Sequence, residues 1–587
     1  MNRYNQAVEA YVEKAIEELH FEDLLILVKD EHSLGDYLFS PCKNIEYRFS
    51  GRVGIFGNVW IESGSLIKRV EGREETIVLE DFIIELNNIV GMDELTLAQF
   101  IEEANQTIYG DLIFKERFET IKNHFLSFDF HAIDSALPGH PKILNNKGRI
   151  GWGADEFQKF APESGSRFKL HWLAVKRDQI LLGLDNNFLK EAKNDQFFLN
   201  STQSDLSEIY EKCNNQKISL EDYIVFPVHP WQWNRYIQIQ YRGMLEESLL
   251  VSLGEWGPDY SAQASIRTLS NCESKEMPDM KLSVSILNTS SYRGIPQRFI
   301  ENGYKVSRGF EKVVEEDNFL RNKVLIAKEV GALSVLAGSF SRLKTSPSRF
   351  NEMLGCIVRE SVPSLLKEGQ SAYPVSAFFF RESDSEKNYS FVKELITESE
   401  MSYTQWFGEY FKNVVIPLYY LQVIHGIGIV AHGQNVVAFL EKGIPRGIIL
   451  KDFHGDLRMS DQSVHLKEEW TKSLSKLPPQ YLIHDLLTGH FVTVLRYLAR
   501  VCHDFKMMSE AEFFKLLNQE INQFYKDNDI NIPPEMNLLR DEFEKLQVNN
   551  VRFKIGYKET SGSPKPLVGK NIKNPIVYYN EGEKNEL

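Results

Sequence analysis

Cysteine is scarce in this chain: five in 587 residues, Cys42, Cys213, Cys272, Cys356 and Cys502, none in a Cys-x-x-Cys pair. That spacing excludes a disulfide framework and a structural zinc site, and it fits a reducing cytoplasm. Long apolar runs are missing too. The longest, Val414 to Ile424, contains Pro417 and Gln422 and stops at His425-Gly426. It is too short to span a bilayer and reads as a buried helix closed by glycine. The chain shows no basic-then-apolar leader; Val8, Tyr11, Val12, Ala15 and Leu19 recur at helical spacing instead. Positive charge is in deficit, 67 Lys and Arg against 82 Asp and Glu, a net of -15 spread along the sequence. No electrostatic footprint for nucleic acid or an anionic membrane follows from that balance. Phosphate-loop, dinucleotide, His-Glu-x-x-His and Gly-x-Ser-x-Gly motifs are absent, which removes the commonest enzyme classes.

What remains is a folded chain, 42% hydrophobic and 12% aromatic, enough to build several packed lobes. Periodicity predicts an α+β protein in three parts. Residues 1–165 mix amphipathic helices with a small sheet, since Tyr47 to Glu62 alternates and carries Gly51, Gly54 and Gly57. Residues 166–385 hold strand-like runs at Phe168–Val175, Tyr223–Pro227, Ser261–Leu269, Lys281–Asn288 and Ser376–Phe380, simplest as a mostly antiparallel sheet. Residues 386–587 return to helical spacing over Trp406–Gly426, His484–Val501 and Glu510–Tyr525.

Chemistry-bearing residues cluster in a few places. A Gly-, Pro- and Asn-rich loop from Gly139 to Gly153 concentrates His140, Lys142, Lys147 and Arg149. In an extended Ser265-Ile266-Arg267-Thr268, alternation puts Gln263, Ser265 and Arg267 on one face. The run from Lys281 likewise puts Lys281, Ser283, Ser285 and Thr289 on one side, with Arg293 just beyond. Cations so gathered repel one another unless an anion sits between them, and a triphosphate beside a carboxylate fits; the alternative is a solvated sheet face. His432-Gly433-Gln434-Asn435, a strand, a Gly-Ile-Pro-Arg turn and then Asp452 supply two hard oxygen ligands, Asn435 and Asp452, suited to magnesium on phosphates. His-Gly also occurs as a plain turn. His229-Pro230-Trp231-Gln232-Trp233 reads as packing rather than a sugar platform. Arg496 and Arg500 share a helix face that meets either a substrate carboxylate or solvent, and Lys554 is open in the same way.

Taken in order, Gly139-His140-Pro141 with Lys147-Gly148-Arg149, His229-Pro230, Ser265-x-Arg267-Thr268, Lys281 with Thr289 and Arg293, His432 to Asn435, Asp452 and Asn574-Pro575 resemble the motif set of the NRPS-independent siderophore synthetases, the IucA/IucC family. The resemblance covers about Gly139 to Asn574. It implies a cupped hand with thumb (1–165), fingers (166–385) and palm (386–587), a cytoplasmic homodimer, and ATP with Mg2+ as cofactors. The implied reaction adenylates citrate, succinate or a derivative and passes the acyl group to an amine or hydroxyl. By motif, Ser265, Arg267, Thr268, Lys281, Arg293, His432, Asn435 and Asp452 would hold the nucleotide, with Asn435 and Asp452 on the metal. His140, Lys147, Thr289, Arg293 and Gln434 would meet the substrates, with Arg496, Arg500 and Lys554 as further contacts. Lys281, Arg293, His140, Arg267 and His432 would be catalytic. Ile143-Leu144 stands where many relatives carry a second His-Pro, and Val430 where they carry Glu. Two other readings remain: a kinase-like phosphotransferase releasing ADP, and a non-catalytic polycarboxylate-binding protein.

Overall fold

The computed structural model describes every residue except 1, 31–34, 186–196, 203–204, 290, 337–339, 344–347, 385–386, 454, 529–531, 558–566 and 580–587. Its first helix, Arg3–Phe21, starts where Asn2 accepts from the Asn5 amide at 2.8 Å, a side-chain N-cap. The expected stripe of Val8, Tyr11, Val12, Ala15 and Leu19 is buried. It packs with the helices Leu79–Val90 and Glu94–Ile121 and with a six-stranded sheet into one apolar core. Lys14, Glu17 and Glu18 are carried on this helix towards the rest of the molecule.

The expected antiparallel sheet is present and has eight strands: Tyr223–Val228, Phe168–Lys176, Leu250–Ala262, Thr268–Asn271, Asp279–Leu282, Gly355–Arg359, Glu329–Val335 and Ile180–Leu184. Its register sets Lys281 between Thr268 and Ile357, and Asp279 opposite Arg359. Three local expectations are corrected here. Ser265-Ile266-Arg267 is a turn, not strand: Ile266 has φ +70°, and Ser265 Oγ accepts from the Thr268 amide at 3.2 Å. Strand alternation therefore does not place Arg267; the turn does. The run from Lys281 breaks at Ser283 into Asp279–Leu282 and Val284–Asn288, and the second piece pairs with Arg149–Ile150 in a separate three-stranded sheet. Ser376 to Phe379 lie in a 3-10 turn, Val375–Phe379, that Phe380 caps, rather than in a strand.

Beyond these, the strands Gln370–Pro374, Val436–Glu441, Ile444–Leu450 and Val324–Ile326 form a four-stranded sheet. The turn between its middle strands is Lys442-Gly443, both at positive φ, so Ile444-Pro445-Arg446 already belongs to the strand. Helices Tyr403–Tyr410, Ile416–His425, Arg496–Asp504 and Glu510–Asn528 pack over it around a large aromatic core. Gly426 closes the apolar helix at φ +63°, as its sequence implied. The C-terminal third also carries the strand pairs Ile427–Ile429 with Leu457–Ser460 and Glu542–Gln547 with Leu567–Lys573, so it is less purely helical than expected. Val306 to Ile326 and Tyr373 to Phe380 contribute to this core rather than to that of the eight-stranded sheet. Among the described residues no helix is long and apolar enough to cross a membrane.

Candidate active site

Asp452 lies at the centre of a charged cleft. It follows the strand Ile444–Leu450 in a left-handed conformation, φ +63°, which Asp tolerates better than most residues. Lys281 Nζ donates to one carboxylate oxygen at 2.8 Å and Arg359 Nη1 to the other at 2.8 Å. Burial alone would raise this carboxyl, but Arg359, Lys281 and Lys451 hold it well below the carboxylate range. Arg359 also donates to Asp279 at 2.6 Å and to Gln263 Oε1 at 3.1 Å, and Gln263 returns a bond to Asp279 at 2.8 Å. The sheet thereby fixes one wall of the cleft.

Two guanidiniums, Arg267 and Arg293, stand on the facing side with neutral hydrogen-bond partners. Arg267 donates to the Gly294 carbonyl; Arg293 donates to Asn288 Oδ1 at 3.1 Å and Thr289 Oγ1 at 2.8 Å. Burial lowers both pKa values. For Arg293 the charge of Arg267 adds to it, against the pull of Asp456, and brings the group to about 10. Elsewhere, buried guanidiniums rest directly on carboxylates: Arg149 on Glu163 at 2.6 Å, Arg496 on Glu18 at 2.6 Å. Polar atoms without a hydrogen-bond partner collect in the same region: Thr268 Oγ1, Arg293 Nε, Gln434 Nε2 and Lys451 Nζ, the last lying over the Phe130 ring at 5.2 Å. Each such atom costs about 1–3 kcal/mol unless something fills the cleft.

His140 and His432 complete the arrangement. The His140 Nδ1 accepts from the amides of Lys142 and Ile143, both at 3.2 Å, and the His432 Nδ1 from the Gln434 amide at 3.2 Å. Each neutral ring therefore carries its proton on Nε2. Burial, then the charges of His432, Lys14 and Lys142, hold His140 well below the usual histidine value. His432 is lowered chiefly by burial, with Asp456 and Asp452 pulling the other way. Lys14 Nζ donates to the carbonyls of His140 at 3.0 Å and Ile143 at 2.6 Å, and burial brings its ammonium down to about 8. Asn435 turns its amide nitrogen to Asp456 at 3.0 Å and to the Val430 carbonyl at 3.2 Å, which frees its Oδ1 as an acceptor.

For magnesium, Asn435 Oδ1 and the carboxylates of Asp456 and Asp452 are hard oxygen donors of the right kind. Among the described residues no group of three or more His, Cys, Asp and Glu forms a metal cage. Asp456 is hydrogen-bonded to Asn435, whereas Asp452 is already held by two cations.

The structure thus gathers Arg267, Lys281, Arg293, His140, His432, Gln434, Asn435 and Asp452, with Thr268 and Thr289 beside them. Ser265 shapes the turn through its hydroxyl. Other expected residues are placed differently. Lys147 pairs with Asp111 and lies 5.0 Å from the Phe114 ring centre. Arg496 is sealed in a two-bond contact with Glu18, and Arg500 donates to Glu17 at 2.8 Å and the Ile61 carbonyl at 3.0 Å. Both join the late helix Arg496–Asp504 to the N-terminal part, a correction to the reading of that face as a substrate contact. Lys554 is exposed on the helix Asn549–Ile555. His229 caps a short helix and packs between Phe160 and Phe168, as its packing reading required. Lys14, Asp279, Arg359, Lys451 and Asp456 are functional candidates that sequence reasoning missed. The only signal was a charged end on apolar runs, Gly355–Arg359 and Ile444–Lys451.

Comparison with known proteins places the chain among its relatives. A model of the IucA / IucC family matches residues 129–380, and one described as a ferric iron reductase FhuF-like transporter matches 404–559. The aerobactin synthase of Escherichia coli is 31% identical over 588 residues, 96% of each chain. A citryl-spermidine/3,4-dihydroxybenzoyl-citryl-spermidine:spermidine ligase of Bacillus anthracis is 28% identical, covering 87% of this chain and 82% of its own. The solved aerobactin synthetase IucC of Klebsiella pneumoniae superposes with a TM-score of 0.82 at 28% identity, covering 98% of this chain and 99% of that one. With nearly full-length similarity and the ordered motifs assembled around one cleft, the chain belongs to the IucA/IucC family of siderophore synthetases.

Proposed function

We propose that this ligase binds ATP with Mg2+, adenylates a polycarboxylate such as citrate or its derivative, and transfers the acyl group to an amine. The observation that carries the reading is the desolvated pair Arg267 and Arg293, whose hydrogen-bond acceptors are all neutral although Asp452, Glu352 and Asp456 attract them from further off, beside buried polar atoms that lack a hydrogen bond. Attack of a carboxylate oxygen on the α-phosphorus forms a C–O–P bond and expels pyrophosphate from the opposite side. Two anions must approach for this, and Arg267, Arg293 and Lys281 offset their repulsion and the charge growing on the phosphoryl oxygens. Lys281 is held by Asp452 before a phosphate arrives, so it is positioned without being free in solvent. Asn435 and Asp456, with Asp452 close by, would hold magnesium, which would supply charge neutralisation on the phosphates.

In the second half the amine nitrogen attacks the acyl carbon, AMP departs, and a proton leaves the nitrogen. His140 and His432, neutral at pH 7 by burial and with Nδ1 tied to backbone amides, present Nε2–H donors to the acyl oxygen, and the amine's proton passes to water. Asn435 with a nearby aspartate also suits a kinase-like metal pair, which makes the phosphotransferase the competing reading. Nucleotide analysis separates them: with ATP, Mg2+, citrate and a diamine, the ligase yields AMP and pyrophosphate, whereas ADP would reject the proposal.

A further inference from the structure

From the Lys142 amide to the Leu144 amide, a stretch that belongs to no helix or strand, every backbone donor and acceptor is paired with a side chain. The Lys142 and Ile143 amides converge on His140 Nδ1, each at 3.2 Å, and the Ile143 carbonyl accepts from Lys14 Nζ at 2.6 Å. The other two groups go to one residue from the far end of the chain. Asn549 Nδ2 donates to the Lys142 carbonyl at 3.0 Å, and Asn549 Oδ1 accepts from the Leu144 amide at 3.2 Å. A single side-chain amide thus binds both flanks of Ile143, as the backbone of a neighbouring strand would.

Asn549 is itself held by a carboxylate. Glu22, which caps the end of the first helix and is fully buried, accepts from Asn549 Nδ2 at 3.1 Å and from the amides of Val548, Asn549 and Asn550 at 2.9–3.2 Å. Lys142 Nζ donates to the same carboxylate at 2.7 Å and lies 4.9 Å from the Phe21 ring centre. The end of the first helix, the His140 loop and the start of the helix Asn549–Ile555 therefore close around one buried ion pair. Apolar side chains of similar size often replace such a pair without loss of stability; what the charges add here is direction. They orient the two amides on His140. Two N–H groups pointed at Nδ1 leave no place for a proton there, so the ring proton stays on Nε2.

Resting on the reading of His140 as a donor to the acyl oxygen, we propose that Asn549, seated on Glu22, is a positioning residue of the acyl-transfer step: by holding the Lys142–Leu144 backbone it keeps both amides on His140 Nδ1 and the ring proton on Nε2. It acts through His140 and not on the reacting atoms. The test follows the ring and the two half-reactions. In protein labelled with 15N-histidine, with His140→Gln assigning the signal, the wild-type ring at neutral pH should show Nδ1 bare and Nε2 protonated, and Asn549→Ala should move proton onto Nδ1. Amide formation from citrate and a diamine should fall about tenfold or more in that variant, as misplacement of a reacting group entails, while citrate-dependent ATP–pyrophosphate exchange, which stops at the acyl-adenylate, stays within about twofold. Added to His140→Gln, Asn549→Ala should cost less than about a further twofold, because both changes act through one ring. Asn549→Asp keeps the size and the acceptor but loses the donor to the Lys142 carbonyl; it should repeat the loss, and it replaces Asn549→Ala should that protein not fold. A wild-type ring protonated on Nδ1, a ring unchanged in the variants, equal falls in exchange and amide formation, or additive losses with His140→Gln would overturn the proposal. No exchange in the wild type, together with a tautomer that Asn549→Ala does shift, would instead sink the adenylation reading and leave the hold of Asn549 on His140 standing.

Discussion

Replacing Arg293 by methionine should kill the enzyme without weakening its empty fold. A base whose folded pKa is depressed is penalised in its charged form, fully below the folded value and not at all above the unfolded one. For Arg293 the fall from the usual 12.5 to about 10 corresponds to roughly 3 kcal/mol of penalty at pH 7. Methionine keeps much of the volume but gives up the bonds to Asn288 Oδ1 and Thr289 Oγ1, about 1 kcal/mol each. The net expectation is an empty protein unchanged or stabilised by about 1 kcal/mol, against the destabilisation typical of substitutions. Thermal unfolding without ligand reads this directly. Pyrophosphate release should fall about 100- to 1000-fold, since one lost donor to the developing charge is worth about 2.7–4 kcal/mol. Stabilisation by saturating Mg-ATP, about 2.7 kcal/mol at a hundred times Kd, should shrink with it. A variant that loses more than 2 kcal/mol when empty, or retains its rate within tenfold, would refute the idea that Arg293 waits for an anion.

Three further outcomes follow from the geometry. Asp452→Asn keeps a residue suited to φ +63° but deprives Lys281 of its counter-ion; turnover should collapse and the magnesium titration shift to higher concentration, and an unchanged titration would remove Asp452 from the metal's surroundings. Arg496→Ala breaks a fully buried pair with Glu18 and should cost about 3–5 kcal/mol in thermal unfolding with KM for ATP unmoved, whereas a large KM change would return Arg496 to the substrate site. Because His140 and His432 are both held below the ordinary 6.5, kcat/KM should be flat through neutral pH and fall only as pH drops well under that value; His432→Gln should flatten the part of that limb it controls.

The α+β class, the antiparallel sheet and most of the cleft were legible because apolar periodicity and ordered motifs report them locally. The routes by which side chains arrive were less so. Arg267 reaches the cleft on a turn fixed by Ile266 at φ +70° and a Ser265 hydroxyl, a backbone choice that alternation cannot reveal. Arg496 and Arg500 showed a charged helix face, but that it meets Glu18 and Glu17 nearly five hundred positions earlier is a tertiary fact. Arg359 and Lys451 end apolar strands, where a charge reads as the strand's exit into water, yet both are buried, Arg359 against Asp279 and Asp452 and Lys451 beside Phe130. Lys14 was hidden in an amphipathic helix whose polar side reads as solvated until the His140 loop covers it.

The most direct test follows an oxygen atom. Citrate labelled with 18O in its carboxylates is incubated with the protein, Mg-ATP and an amine, and the nucleotide products are weighed. Transfer through an acyl-adenylate places one labelled oxygen in AMP for each amide formed. Label in inorganic phosphate with ADP as the product, or unlabelled AMP, would contradict the account.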